Sequence, residues 1–150
     1  MSEIKYNSNV EINFEKKVSW IEESKLKNIV KTLMNLTNIK NKTISILLCS
    51  NNTIHQLNKD YRAKDSPTDV LSFVYEDDTE ILGDIAISLD KVEEQALKYD
   101  CTIEHELKRL LIHGILHIIG YDHEKDMAEE KLMFEKQDEL MEHIKNAELS

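Results

Sequence analysis

Residues 113–123 read HGILHIIGYDH and hold three of the chain's six histidines and two of its three glycines. Residues four apart lie on one face of a helix, so His113 and His117 can reach a single cation. Gly120 can adopt the left-handed conformation that ends a helix, which allows His123 to approach the same ion. Three neutral imidazoles leave a fourth tetrahedral position to water, as in catalytic zinc sites. The stretch therefore predicts one zinc ion per chain.

A hydrogen-bonded cluster of histidines without metal is the structural alternative for this stretch. The helix-ending glycine and the third histidine favour the metal site over that alternative. The remaining histidines, His55, His105 and His143, lack the spacing and are interpreted as ordinary residues.

The helix that carries the first two histidines is predicted to begin near Thr102 and to lie at the centre of the fold. Acidic residues in its first turn suit a helix N-terminus. Its apolar residues extend nearly all round the helix, at Leu110, Leu111, Ile112, Ile115, Leu116, Ile118 and Ile119. A last helix, from about Met127 to Ile144, is predicted to cover it with Leu132, Met133, Leu140, Met141 and Ile144.

Outward from this helix, strand and helix patterns interleave without strict βαβ alternation. Strands are predicted at Val10 to Phe14, Thr43 to Cys49, Val70 to Tyr75 and Ile81 to Ser88. The last two are expected to pair antiparallel across the acidic turn Asp77-Asp78-Thr79. Two further helices are predicted, one after a capping box of Ser19 and Glu22 and one along Ile54, Leu57 and Tyr61. A third helix is predicted from about Asp90. It would be capped by Asp90 with Glu93 and would bury Val92, Ala96 and Leu97.

These patterns predict an α+β fold with a small mixed β-sheet of about four strands and about five helices. A length of 150 residues fits a single domain spanning residues 1–150. No window approaches a membrane span and no signal peptide is evident, so a cytoplasmic protein is expected. Cys49 and Cys101 lack zinc-knuckle spacing and are expected to be buried as small apolar residues.

The formal net charge of −10 counts against non-specific affinity for nucleic acid. A local positive cleft can nevertheless coexist with acidic faces elsewhere. We expect such a cleft at the metal, formed by Arg62, Lys59 and Lys64, with Arg109 as a further candidate. A salt bridge to Glu106 is the alternative role for Arg109.

Four motifs follow one another along the chain: Leu57-Asn58-Lys59-Asp60-Tyr61-Arg62, the segment Asp65 to Phe73, Leu82-Gly83-Asp84-Ile85, and His113 to His123. In this order they resemble the motifs of the YbeY-type endoribonucleases of bacteria. Val74 replaces the proline that follows the phenylalanine in that family. This departure affects no proposed ligand.

The resemblance implies that the single domain is a metal-dependent hydrolase, a single-strand-type endoribonuclease that trims ribosomal RNA precursors, particularly the 3′ end of small-subunit RNA, and assists ribosome quality control. It implies His113, His117 and His123 as zinc ligands and Arg62 as the functional arginine. Its partners would be an RNA precursor and the small ribosomal subunit or its basic proteins. Acidic residues within the motifs, Asp69 and Asp84, are interpreted as holding loops or hydrogen bonds around the site.

Two other functions stay open. The first is a non-catalytic ribosome-assembly factor whose C-terminal half is stabilised by zinc. An acidic surface would suit its binding to basic ribosomal proteins. A metalloprotease would share the histidine spacing, but such proteases carry a glutamate base where this chain has Gly114. No general base stands out, so attack by water and attack by the RNA 2′-hydroxyl both remain open.

Overall fold

The computed structural model describes residues 8–76, 80–122 and 126–150. Within these ranges the chain forms four strands and five helices, which confirms the predicted α+β fold. In chain order they are β1 (Asn9–Phe14), α1 (Glu23–Leu36), β2 (Thr43–Cys49), α2 (Asn51–Arg62), β3 (Val70–Val74), β4 (Ile81–Ser88), α3 (Leu89–Lys98), α4 (Ile103–Ile118) and α5 (Met127–Ile144). The predicted turn at residues 77–79 lies outside the described residues.

The four strands form one mixed sheet in the order β1-β2-β4-β3. β2 pairs parallel with β1 and β4, whereas β3 pairs antiparallel with β4, as predicted for that pair. Alternate residues of β2, namely Ile44, Ile46 and Leu48, are fully buried in the main core. A second, smaller core around Ile54 and Ala86 lies where α2 packs on β3 and β4.

The helix α4 lies at the centre of the fold, as its apolar circumference predicts. It packs against α1, α3, α5, β3 and β4, and most of its residues are buried. Gly114 allows the close approach of α4 to β4, because a Cβ atom there would lie 2.9 Å from Cγ2 of Ile85. This close packing fixes the position of α4, and therefore of His113 and His117, relative to the sheet.

Two predicted helix caps are wrong. The helix α1 begins at Glu23 with Glu22 as its N-cap, so Ser19 does not cap it. The N-cap of α3 is Ser88, whose hydroxyl accepts a hydrogen bond from the Lys91 backbone N–H at 3.2 Å. Asp90 has other partners: its carboxylate accepts from Lys16 Nζ at 2.6 Å and from the Asn51 backbone N–H at 2.8 Å.

Some predicted inward-facing side chains are instead exposed. Leu97 on α3 is 87% exposed and Leu132 on α5 is 57% exposed, although both belong to apolar patterns. Cys49 is buried, as expected, and burial raises the pKa of its thiol to about 12. Cys101 is only half-buried. Among the described residues, no helix has the length and apolar character needed to cross a membrane.

Candidate active site

A cleft of about 680 Å³ joins two of the sequence motifs. The end of α2, the loop that follows it and one side of β3 form one wall, which includes Arg62, Lys64 and Ser72. The other wall is α4, with His113 and His117. The fold therefore brings the predicted functional arginine and two predicted metal ligands to the same cavity.

The two histidines meet through their Nε2 atoms. These atoms lie 3.1 Å apart, and the ring planes are inclined at 65°. Two nitrogens that bind one tetrahedral zinc at 2.0 to 2.1 Å would be separated by about 3.3 to 3.4 Å. The pair therefore fits a shared ion with only a small adjustment, and it equally fits a direct hydrogen bond between one donor and one acceptor nitrogen.

The third predicted ligand, His123, lies outside the described residues. Within the part of the chain that is described, no group of three or more His, Cys, Asp or Glu side chains is arranged to hold a metal ion. The metal site therefore remains a prediction that rests on the sequence and on the fit of His113 and His117.

The chain leaves α4 through a Schellman turn at Gly120, whose φ angle is +106°. The Gly120 N–H donates to the His117 carbonyl at 3.1 Å, and the Tyr121 N–H donates to the Leu116 carbonyl at 3.0 Å. This pair of hydrogen bonds defines the motif, and glycine suits its left-handed position because it lacks a Cβ atom. The predicted helix stop is confirmed, and it lies directly beyond the cleft histidines.

Arg62 is the last residue of α2 and lies across the edge strand β3. Its Nη2 donates to the Ser72 carbonyl, and its guanidinium carbon lies 5.2 Å from the centroid of the Phe73 ring. The backbone turns left-handed at Ala63, with φ of +56°, and leads the chain back toward β3. These contacts orient a delocalised cation at the mouth of the cleft.

Asn58 is a site residue that the sequence interpretation missed. It is one of the few buried polar residues, and its Nδ2 donates to the Ser66 carbonyl at 2.9 Å. Its backbone carbonyl accepts from the Lys64 N–H at 3.2 Å, so Asn58 holds the first half of the loop between α2 and β3. The sequence did contain a signal for this residue. Asn58 lies one helical turn from both Ile54 and Arg62, so it is a polar residue on a helix face that points inward.

A partly buried ion-pair network adjoins the cleft through Asp69. Arg109 donates from Nε and Nη2 to the two carboxylate oxygens of Glu106, each at 2.7 Å, and this contact raises the arginine's pKa. Gln95 Nε2 donates to Glu106 at 2.6 Å and to Asp69 at 3.3 Å. Arg109 is therefore engaged in the predicted alternative, a salt bridge with Glu106.

The charges that line the cleft are fewer than predicted. Arg62 and Lys64 contribute positive charge and Asp69 contributes negative charge, whereas Lys59 and Arg109 are not among the described lining residues. Asp69 also accepts a hydrogen bond from the Val70 N–H at 2.8 Å, and Asp84 accepts one from the Tyr75 hydroxyl. Asp69 thus makes a supporting contact beside the cleft, whereas Asp84 makes its contact outside the described cleft lining.

Comparison with known proteins identifies the family. The family described as Endoribonuclease YbeY matches residues 11–145 of this chain. The chain belongs to this family. Membership in the YbeY family confirms the resemblance seen in the four motifs, and it gives an RNA-cleaving hydrolase as the general class of activity.

Individual relatives agree with this membership. Endoribonuclease YbeY of Sulfurihydrogenibium sp. is 43% identical over 124 residues, covering 79% of this chain and 81% of that protein. Endoribonuclease YbeY of Bacillus subtilis is 46% identical over 110 residues, covering 65% of this chain and 69% of that protein. The solution structure of TM1509 from Thermotoga maritima superposes with a TM-score of 0.64 at 34% identity, covering 90% of this chain and 88% of that one.

Proposed function

We propose that the chain is a zinc-assisted cytoplasmic endoribonuclease that matures ribosomal RNA precursors, particularly the 3′ end of small-subunit RNA, and serves ribosome quality control. Membership in the YbeY family supports the nuclease class. The observation that carries the proposal for this site is the shared cleft of Arg62, His113 and His117. Arg62 supplies a cation that can bind phosphate, and the two imidazoles can bind a metal ion, and both groups support phosphodiester cleavage.

His113 and His117, with His123 as the predicted third ligand, would hold the zinc ion. When bound, zinc lowers the pKa of a coordinated water to about 7 and polarises a phosphoryl oxygen. Arg62 would bind and orient the phosphate, because its planar guanidinium can donate two parallel hydrogen bonds to phosphate oxygens. Its attachment to Ser72 fixes the direction from which those donors approach. Lys64 would add an unspecific attraction for the RNA backbone.

Packing at Gly114 counts further against a metalloprotease. The protease base would occupy this position, but even a Cβ atom there would lie 2.9 to 3.3 Å from three side-chain atoms of Ile85. Ile85 is buried, so a glutamate could be accommodated only by displacing the interface between α4 and β4. The chain therefore lacks both the base and the space for it.

A non-catalytic assembly factor is the second candidate, favoured by the net charge of −10 and by Asp69 in the cleft wall. The two candidates differ in whether a metal-loaded, rigorously purified protein cleaves RNA. The substrate for the test is a single-stranded RNA that carries the 3′ end of a small-subunit precursor. We expect cleavage that depends on the metal.

The metal ligands are tested with a double variant, His113→Ala with His117→Ala, and with His105→Ala as the matched control. His105 is an exposed histidine on the same helix. We expect about one zinc per chain in the unaltered protein and in the control, and loss of both zinc and cleavage in the double variant. Stoichiometric zinc in the double variant would refute the ligand assignment. Full zinc without any cleavage by the unaltered protein would favour the assembly factor.

A further inference from the structure

A second groove lies on the sheet face that α2 only partly covers. It has a volume of about 490 Å³ and combines the rings of Tyr61, Phe73 and Tyr75 with the polar side chains of Asn13, Ser45 and Asp84. We call it the aromatic groove. Tyr61 is 69% exposed and Tyr75 is 42% exposed, although both are large and partly apolar. Such rings at a surface suit a ligand that presents a flat face.

The aromatic groove and the active-site cleft lie on opposite sides of the edge strand β3. Successive residues of a strand point to opposite faces, and accordingly Ser72 lines the cleft while Phe73 lines the groove. Arg62 joins the two sites, since it lines the cleft and its guanidinium lies against the Phe73 ring. The guanidinium carbon lies 5.2 Å from that ring's centroid, so the cation of the cleft and the rings of the groove are direct neighbours.

The charges of the groove select the part of a nucleotide that can enter it. Asp84 is the charged residue among the described groove-lining side chains, so a phosphate would be repelled there. An uncharged base would meet rings on which it can stack, and its amino group could donate to the Asp84 carboxylate. The groove's volume also falls within the range of about 300 to 1,000 Å³ that is usual for small-ligand sites.

We propose that the aromatic groove binds one unstacked base of the RNA strand whose neighbouring phosphate is held at Arg62, and that it favours bases carrying an amino group over uracil. This inference rests on the proposed function, because it takes the cleft at Arg62 as the place of the scissile strand. It fits a single-stranded substrate, since a paired base would have to break its base pair before it could enter the groove.

The first test is a binding measurement that needs no cleavage. Single-stranded RNA probes with an uncleavable backbone carry the fluorescent base 2-aminopurine at successive positions, and stacking on an aromatic ring quenches its emission. We expect quenching at one position with the metal-loaded protein. Tyr61→Ala should weaken the binding of that probe at least about fivefold and remove the quenching, because loss of one stacking ring costs about 1 to 3 kcal/mol. Tyr61→Phe should retain both.

The matched control is Tyr99→Ala, which removes an exposed tyrosine outside the groove. It should leave the quenching unchanged. Asp84→Asn should reduce the preference for cytosine over uracil at the quenched position while leaving stacking intact. In cleavage assays Tyr61→Ala should raise KM more than it lowers kcat, since the groove contacts bind a part of the substrate that does not react.

The outcomes separate this inference from the proposed function. Quenching that Tyr61→Ala leaves unchanged would overturn the base site even if the protein cleaves RNA. Quenching that is lost in Tyr61→Ala and kept in Tyr61→Phe would support the base site even if no cleavage is found, in which case the proposed nuclease activity alone fails. Self-association abolished by Tyr61→Ala, together with unaltered RNA binding, would assign the groove to a second copy of the chain and refute the inference.

Discussion

Arg62 is the residue whose replacement should affect catalysis most clearly without affecting the fold. It is an exposed residue at the end of α2, and its contacts are to the edge strand rather than to the main core. Arg62→Ala should lower the rate of RNA cleavage on the order of a hundredfold, because it removes a donor that stabilises developing charge. Arg62→Lys should restore little, since a lysine cannot make the planar bidentate contact.

The control for Arg62 is Lys59→Ala, which removes a positive charge from the same helix outside the cleft lining. Cleavage rate, zinc content and circular dichroism are measured on all variants. Normal turnover in Arg62→Ala would remove this residue from the mechanism. A comparable loss in Lys59→Ala would mean that net charge, and not the position of Arg62, controls the rate.

Lys64 should contribute through electrostatics alone. It lines the cleft, and a lysine that neutralises one RNA phosphate releases condensed counterions. Lys64→Ala should therefore reduce the slope of log affinity against log salt concentration by about 0.7, the value for one contact to a single strand. Salt titrations with an uncleaved RNA measure the slope. An unchanged slope would place the RNA backbone elsewhere.

At the scale of elements, the approach of β3 to β4 depends on Gly83. A Cβ atom at this position would lie 2.6 Å from the Phe73 carbonyl oxygen, which belongs to the backbone and cannot rotate away. Gly83→Ala should lower the free energy of unfolding by about 1 to 3 kcal/mol, as overpacking usually does. Urea unfolding measures this. Stability equal to that of the unaltered protein would show that β3 shifts freely.

The N-terminus of α2 should make stability depend on pH. Glu15 accepts hydrogen bonds from Thr53 and from the Ser50 N–H, and these contacts, led by that of Thr53, lower its pKa. Contacts with Lys16 and then with the Asn51 N–H likewise lower the pKa of Asp90. Because both folded-state values lie below the unfolded ones, the stabilisation is complete above about pH 4.5 and is lost as pH falls through the folded values.

The variant Asp90→Asn tests this expectation. It should be less stable than the unaltered protein at pH 7, by less than about 1 kcal/mol because the group is partly screened by solvent, and the difference should vanish near pH 2. Unfolding midpoints across this pH range measure the effect. A difference that persists at low pH would point to lost packing rather than to lost charge.

Some elements were predicted from the sequence more accurately than others. The first and last residues of β2, β4 and α5 were predicted correctly, because the apolar pattern of each is long and its ends are clear. The caps of α1 and α3 were predicted wrongly because several nearby side chains could serve, and tertiary contacts decide among them. Asp90 is the clear case: Lys16, from a distant part of the chain, engages the carboxylate that would otherwise have capped α3.

At the scale of the whole molecule, the active-site cleft combines segments about 50 residues apart. The sequence predicted Arg62 and the histidines separately through their motifs, but not that Asn58 and Ser72 would complete the same wall. The aromatic groove could not be predicted either. Its rings come from α2 and from the end of β3, and only the strand order places them beside Asn13 of β1 and Asp84 of β4.

The C-terminal segment is part of the folded domain. Lys108 of α4 is buried and donates to the Lys145 carbonyl at 3.1 Å and to the Ala147 carbonyl at 2.6 Å, while Leu149 lies in the main core. Lys108→Ala should lower the free energy of unfolding by about 2 kcal/mol, because it leaves carbonyl groups without their donor. Thermal unfolding compares it with Lys136→Ala, whose charge contacts Glu139 at the surface. Equal stability of the two variants would contradict this role.

The strand order also bears on how the chain is made. β4 lies between β2 and β3 although it follows both in the sequence, so β2 has only β1 as a partner until residues 81–88 have been synthesised. Until then, the apolar segment Thr43–Cys49 presents an open edge, the kind of surface on which strands of separate chains add to one another. A nascent chain whose residues 81–88 have not yet left the ribosome is therefore the form most in need of a chaperone, and β4 closes that edge once it emerges.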